Sequence, residues 1–235
     1  MILKDKVAIV TGASKGIGKA IALTLARQGV ALAISARTSD ILEQTAAEVR
    51  RNGVRCLAFT GDMSREDDIK RFVSSCIKEF GSLHILVNNA GFGHFKPAAE
   101  LTTREWDDMF NLNVRGLFIA TRECLPHLRK SGEAVIVNIA SLAGKNAFVN
   151  GAGYAASKHA VLGFSRCLML EERNNGIRVL AVCPGSVDTS FSSDKSDAKR
   201  AKILRPEDVA DSIVQMILLP QRAMISEIDI RPTNP

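Results

Sequence analysis

Between Val7 and Gln28 the chain passes from an apolar run through a glycine-rich turn into an amphipathic stretch. Val7-Ala8-Ile9-Val10 contains no polar side chain, which fits a short strand covered on both faces. Thr11-Gly12-Ala13-Ser14-Lys15-Gly16-Ile17-Gly18 follows directly, and Lys19 to Gln28 reads as a helix stopped by Gly29. The glycines are spaced Gly-x-x-x-Gly-x-Gly rather than Gly-x-Gly-x-x-Gly. They permit a tight turn and a close approach of backbone to a pyrophosphate, while the helix N-terminus attracts the anion. A purely structural turn is the alternative. The strand before it and the helix after it favour a dinucleotide site.

The same alternation continues. Apolar strands are predicted at Ala31–Ser35, Val54–Thr60, Ile85–Val87, Ala134–Ile139, Ile177–Val182 and Ile225–Ile230. Helical patterns cover Ile41–Arg51, Ile69–Phe80, Glu105–His127, Tyr154–Arg173 and Pro206–Leu219. The third of these is interrupted by Asn111-Leu112-Asn113 and Gly116, and asparagine inside a helix is unfavourable without a reason. Strands alternating with helices predict one α/β domain over residues 1–235, doubly wound around a parallel sheet with helices on both faces.

The net charge of +6 permits an anionic partner, but the Lys and Arg residues form no basic block. The charge therefore fits an anionic small ligand and a solvated surface better than nucleic acid. No apolar run reaches membrane-spanning length and no signal peptide is visible at Met1-Ile2-Leu3-Lys4. Cys56, Cys76, Cys124, Cys167 and Cys183 are odd in number, lack a Cys-x-x-Cys pair and sit in apolar surroundings, as expected of reduced core thiols in a cytoplasmic protein.

Several polar residues stand where strands end. After the second strand, Ala36 occupies the place where an acid would bind ribose hydroxyls. Arg37 next to it, with Lys15 from the glycine turn, favours the 2′-phosphate of NADP. Asp62, followed by Met63, is either a ligand contact or the cap of a helix starting near Ser64, with Asp67 completing a cap-like pair. Asn88-Asn89-Ala90-Gly91 suits a loop that ties strands together by side-chain hydrogen bonds and lets a flat ring lie on backbone. Tyr154, the only tyrosine, precedes Lys158 by one helical turn, so both side chains share a face. A nearby ammonium lowers a phenol's pKa from about 10 and equips it to exchange a proton with a substrate oxygen. His94, a lone histidine in the loop after Gly91, is either a substrate contact or, more in keeping with a lone loop histidine, outside the chemistry. The charged string Ser190–Arg205 reads as a mobile lid.

Taken together these motifs resemble the short-chain dehydrogenase/reductase family almost end to end. Thr11, Gly12, Gly16 and Gly18 match its glycine turn; Asn88 to Gly91 match its Asn-Asn-Ala-Gly; Asp62 matches its adenine-side acid; and Pro184, Gly185 and Thr189 match its Pro-Gly-x-x-x-Thr. The family's catalytic set falls on Asn113, Ser141, Tyr154 and Lys158. The resemblance implies a seven-stranded Rossmann fold, NADP(H) as cofactor, a small-molecule carbonyl substrate and a homotetramer or dimer. In the implied mechanism Tyr154 gives a proton to the carbonyl, Lys158 lowers its pKa and holds the nicotinamide ribose, Ser141 donates to the same oxygen, and Asn113 holds a relay water. Ser14, Lys15, Ile17, Arg37, Met63, Asn89, Ala90, Gly91, Tyr154 and Lys158 would complete the cofactor site, with Val187 and Thr189 at the carboxamide.

The overall look is nearest to 3-oxoacyl-thioester reductases. The tail Ser226–Pro235 lacks their terminal Gly-Gly and is closer to reductases of small ketones, sugars or hydroxy acids. Lys195, Lys199, Arg200, Lys202 and Arg205 in the lid would either greet an anionic carrier or simply be solvated. An NADP-sensing regulator would be expected to have lost part of the catalytic set. A nucleotide-sugar epimerase would be expected to carry a larger substrate domain after Thr189.

Overall fold

A computed structural model describes residues 1–191, 196, 200 and 202–233. Seven parallel strands form one sheet in the order β3-β2-β1-β4-β5-β6-β7. They are β1 (Val7–Thr11), β2 (Ala31–Ala36), β3 (Cys56–Thr60), β4 (Ile85–Asn88), β5 (Ala134–Ile139), β6 (Ile177–Pro184) and β7 (Glu227–Ile230). The connecting α-helices are α1 (Gly16–Arg27), α2 (Ser39–Arg50), α3 (Glu66–Phe80), α4 (Thr103–Phe110), α5 (Leu117–Lys130), α6 (Ala152–Glu172) and α7 (Pro206–Leu218).

The continuous apolar runs are explained by coverage on both faces. Along β1, Ala8 and Val10 pack in one cluster with Ile21 and Leu25 of α1, Leu42 of α2 and Ile213 of α7. Val7 and Ile9 enter the opposite cluster with Phe72 of α3, Ile119 of α5 and Leu168 of α6. The period of two thus sorts one strand's side chains between two cores. Strand order reverses between β1 and β4, so their C-terminal ends leave a crevice where open α/β sheets bind ligands.

The structure departs from the periodicity in several places. α1 begins at Gly16, inside the glycine turn, rather than at Lys19. β3 and β7 are shorter than expected, starting at Cys56 and Glu227. The long helix is two α-helices joined by a π-helical segment, Asn111–Gly116. Buried Arg178 reaches across from β6 to the C-terminal end of α7. Its Nη2 donates to Ile217 O at 2.8 Å and its Nη1 to Leu219 O at 3.2 Å, a favourable place for a cation. On α6, Val161, Leu162 and Leu168 are buried, while Gly163, Arg166, Cys167 and Leu170 face outward. All five cysteines are free; Cys76, Cys124 and Cys183 are buried, Cys56 is half-buried and Cys167 is exposed, so the core-thiol reading holds for only three. Among the described residues no helix is long and apolar enough to cross a membrane.

Candidate active site

The crevice is floored by the glycine turn. Gly12 and Gly16 adopt φ of +66° and +58°, a left-handed backbone in which a side chain is strained. A Cβ on Gly18 would stand 2.4 Å from both Asn89 Nδ2 and Gly12 O. That space is closed because Asn89 Nδ2 donates to Thr11 O at 2.9 Å and Gly12 O at 3.0 Å. Thr11 Oγ1 in turn accepts from the backbone N–H groups of Asn89 and Ala90 at 3.0 and 3.1 Å. Asn88 Nδ2 donates to Asn138 Oδ1 at 2.9 Å, and Asn138 Nδ2 to Ser165 Oγ at 2.8 Å. The amides expected to tie strands together do so, linking β1, β4, β5 and α6 at the crevice.

No side chain caps α1, because Lys15 stands at its N-cap position. Ser14 O accepts from Thr45 Oγ1 at 3.3 Å, which fixes the turn against α2, and Ile17 packs on the core beneath. The turn therefore presents an uncapped helix N-terminus and a backbone cradle that Cβ atoms would fill, a fit for a pyrophosphate. Opposite, Thr189 Cγ2 lies 3.1 Å from where a Cβ of Gly16 would sit, so the segment after β6 closes over the turn. Gly185 N donates to Ile230 O at 2.8 Å, and Leu204 pairs with Val187 in a short parallel bridge; these hold the Pro184–Thr189 segment in place.

At the end of β2, Ala36 is buried and its carbonyl accepts from Gly61 N at 3.0 Å. Arg37 and Lys15 are exposed, and neither pairs with an acid among the described residues. Asp62 Oδ1 accepts from Ser64 N at 2.9 Å and Ser64 Oγ at 2.8 Å, which closes a local turn; α3 starts only at Glu66, with Arg65 at its N-cap position and no side-chain cap, so Asp62 does not cap the helix. Its partner is Asp68, whose Oδ2 accepts from Asp62 N at 2.8 Å, and not Asp67.

The π-helical segment explains the asparagine that interrupts the helix. Its wider turn directs Asn113 inward, where Nδ2 donates to Phe92 O at 2.9 Å and Ser157 Oγ at 3.0 Å while Oδ1 accepts from Phe92 N at 3.0 Å. Gly116 is required three residues on, because a Cβ there would stand 2.1 Å from Met63 O. A Cβ on Gly91 would lie 3.0 Å from Asn113 Oδ1 and 3.6 Å from Lys158 Nζ, so these three converge. Lys158 is buried, donates to Ile139 O at 2.7 Å and lies 5.8 Å from the centre of the Tyr154 ring. Tyr154 is 9% exposed, and the Ser141 hydroxyl stands near enough to its phenol to pull its pKa down. Ser141 Oγ also accepts from Ala143 N at 3.1 Å.

The electrostatics correct one expectation. Burial raises the Tyr154 pKa above its ordinary value, and the nearby Ser141 hydroxyl only partly opposes this. The expected lowering by Lys158 does not appear. Instead burial lowers Lys158 itself to about 8. His94 faces α4, with Nδ1 3.9 Å from Glu105 Oε1 and its ring edge-on to Phe92.

Three residues escaped the sequence reading. Phe95 and Phe191, from separate loops, lie against Tyr154, and Phe148, from a third, packs on Phe95; no periodicity links them, and only proximity in space reveals the group. Of the expected lid, residues 192–195, 197–199 and 201 lie outside the described residues, so Lys195 and Lys199 do too. Arg200 lies 3.7 Å from Asp188.

Comparison with known proteins gives this arrangement its context. The short chain dehydrogenase family model matches residues 6–200, and the chain belongs to that family. A sepiapterin reductase of Chlorobaculum tepidum is 34% identical over 233 residues, covering 96% of each chain. An alcohol dehydrogenase from the archaeon Thermococcus sibiricus, complexed with 5-hydroxy-NADP, superposes with a TM-score of 0.91 at 33% identity over 97% of both chains. A 3-ketoacyl-(acyl-carrier-protein) reductase from Brucella melitensis, complexed with NADH, does so with 0.91 at 32% identity over 98% of both.

Proposed function

We propose that residues 1–235 form a single cofactor-binding and catalytic domain. It moves a hydride between NADP(H) and a ketone or secondary alcohol. The observation that carries this reading is the convergence of Tyr154, Ser141, Lys158 and Asn113 beside a glycine cradle shaped for a dinucleotide. The two structural relatives hold different cofactors, one a derivative of NADP and the other NADH. Ala36 decides between them here, because it offers no carboxylate to free ribose hydroxyls, while Arg37 and Lys15 supply uncommitted charge for a 2′-phosphate.

When bound, the nicotinamide supplies or accepts the hydride. Gly12, Ser14, Gly16, Ile17 and Gly18 would hold the pyrophosphate. Asp62 and Met63 would border the adenine, and Asn89 to Gly91 with Pro184, Gly185, Val187 and Thr189 would border the nicotinamide side. In reduction Tyr154 donates its phenolic proton to the substrate oxygen, and Ser141 donates a second hydrogen bond to that oxygen as charge develops on it. The raised phenol pKa keeps the acid protonated in this direction. Lys158 holds its ammonium behind the ring and returns a proton to Tyr154. The Asn113 side chain is committed to Phe92 and Ser157, so a relay water would contact its main chain.

Replacing Tyr154 by Phe tests the assignment. NADPH oxidation with a carbonyl panel should fall at least about 10²-fold, with NADPH affinity retained; near-normal turnover would overturn it. A 3-oxoacyl thioester is the first finer reading of the substrate, supported by the likeness to the Brucella enzyme; small ketones, sugars or hydroxy acids form the second, supported by the charged β7. We also read the chain as a homo-oligomer, tetramer before dimer, because Phe118 of α5 and Leu170 of α6 leave apolar area on the outer face.

A further inference from the structure

The substrate end of the site has a chemistry of its own. The chain is poor in aromatic residues, with ten Phe, one Tyr and one Trp, yet four of these gather at one point. The ring centre of Phe95 lies 5.4 Å from that of Tyr154 and 6.0 Å from that of Phe191. Phe191 lies 5.6 Å from Tyr154, and Phe148 stands 6.0 Å from Phe95. Tyr154 is buried beneath the group, while Phe95, Phe148 and Phe191 are 42%, 46% and 43% exposed. Val149, 87% exposed, extends the apolar rim.

A rim of half-exposed rings is costly in water and marks a place where an apolar partner is taken up. Its position leaves little freedom about which partner. Phe95 and Phe191 lie against Tyr154, so a carbonyl bound at its phenol has them as neighbours. Ring edges carry partial positive charge and ring faces partial negative charge, so a flat ring packs well among them at tilted angles. The interplanar angles here, 49° to 68°, already define tilted faces.

Among the described residues, the cations nearest in sequence to the rings offer an anion little. Lys96 Nζ is 2.5 Å from Glu105 Oε1. Lys145 Nζ is 2.6 Å from Glu227 and 2.5 Å from Asp229. Arg200 faces Asp188. Each of these cations is already matched by a carboxylate, so a substrate anion would have to compete with an acid held in place.

We infer that Phe95, Phe148 and Phe191 form a substrate-selecting collar, and that the substrate is a neutral ketone, or the matching alcohol, whose carbonyl is attached to or part of a flat apolar ring. This rests on the reading of Tyr154 as the proton donor, goes beyond it in naming what Tyr154 meets, and on the substrate replaces the 3-oxoacyl thioester reading with a ring ketone. Gly93 supports the collar, since a Cβ there would stand 2.8 Å from the Tyr154 ring and 2.9 Å from that of Phe95. Only a glycine lets the two rings meet.

The test compares acetophenone, 1-indanone, butanone, acetoacetate and an acetoacetyl thioester as substrates with NADPH. The variants are Phe95→Ala and Phe191→Ala, each beside its milder Leu counterpart. Acetophenone binding to the NADP⁺-loaded protein is followed by calorimetry. The ring ketones should give the highest kcat/KM in the parent. Either Ala variant should lower kcat/KM for acetophenone by about tenfold or more, through KM rather than kcat, and weaken its binding in parallel. Butanone should change by less than about threefold, and the Leu variants should fall between. NADPH affinity unchanged from the parent establishes that each variant is folded. Brisk turnover of the thioester or of acetoacetate with none of the ring ketones overturns the collar and leaves the proton-transfer reading standing. Equal losses for acetophenone and butanone also overturn the collar, since selection would then not lie in the rings. No turnover of any carbonyl by a protein that binds NADPH overturns both.

Discussion

Lys158 places an ammonium in a pocket where, among the described residues, its one hydrogen bond is donated to the carbonyl of Ile139 at 2.7 Å. The desolvation this entails lowers its pKa from 10.5 to about 8. At pH values below about 8, carrying that proton in the folded state costs about 3 kcal/mol relative to the unfolded chain. Lys158→Met keeps an unbranched apolar side chain and removes the charge. Against the gain stands the Ile139 carbonyl left without its donor, a loss of about 1 kcal/mol. The net expectation is a variant without activity that is more stable by about 2 kcal/mol, or about 4–8 °C in Tm for a chain of this size. The gap must also depend on pH in one direction. Between about pH 8 and 10.5 the unfolded chain holds the Lys158 proton and the folded parent does not, so parental stability rises with pH across that window. The variant lacks this contribution, so its advantage should be constant below about pH 8 and shrink steadily towards pH 10. Differential scanning calorimetry of both proteins without cofactor, at intervals from about pH 6.5 to 10, measures it. A variant less stable than its parent near pH 7, or a gap that does not close with rising pH, would refute the reasoning.

Arg37→Ala should raise KM for NADPH by about tenfold or more and scarcely alter that for NADH, since a hydrogen bond to a charged group is worth roughly 1.5–3 kcal/mol and solvent screening trims it; adding Ala36→Asp should invert the preference, and equal cofactor affinities in the parent, titrated by calorimetry, would count against both cations. Gly116→Ala must push against Met63 O, 2.1 Å from the new Cβ, and should cost about 1–3 kcal/mol in urea unfolding while lowering kcat through Asn113. Light scattering at micromolar concentration should give a multiple of the 25.4 kDa chain mass; the monomer mass would end the oligomer reading.

What could be read from sequence was whatever is written locally. The apolar runs revealed the strands because both faces of the sheet are covered, and the glycines of the turn are needed by backbone sterics that any reader of Gly12, Gly16 and Gly18 can anticipate. Tyr154 and Lys158 shared a face because a helix makes them do so. What could not be read depends on distance in the chain. The phenol's raised pKa follows from burial under Phe95 and Phe191, which arrive from other loops. The choice of Asp68 over Asp67 turns on one step of helical phase, and Arg178 reads as a charge breaking an apolar strand until the end of α7 is placed beside it.

The wide turn at Asn111–Gly116 can be seen as a one-residue surplus lodged in a helix. Removing Leu112 would let residues 103–130 run on as an ordinary helix, with little change in length or hydrophobic content. Each residue of an α-helix advances it by about 100°, so the deletion would swing Asn113 off the site or α5 off its core. A gap at this point in an alignment of related chains is therefore a change of chemistry, whereas a gap of the same size in a surface loop is only a change of length.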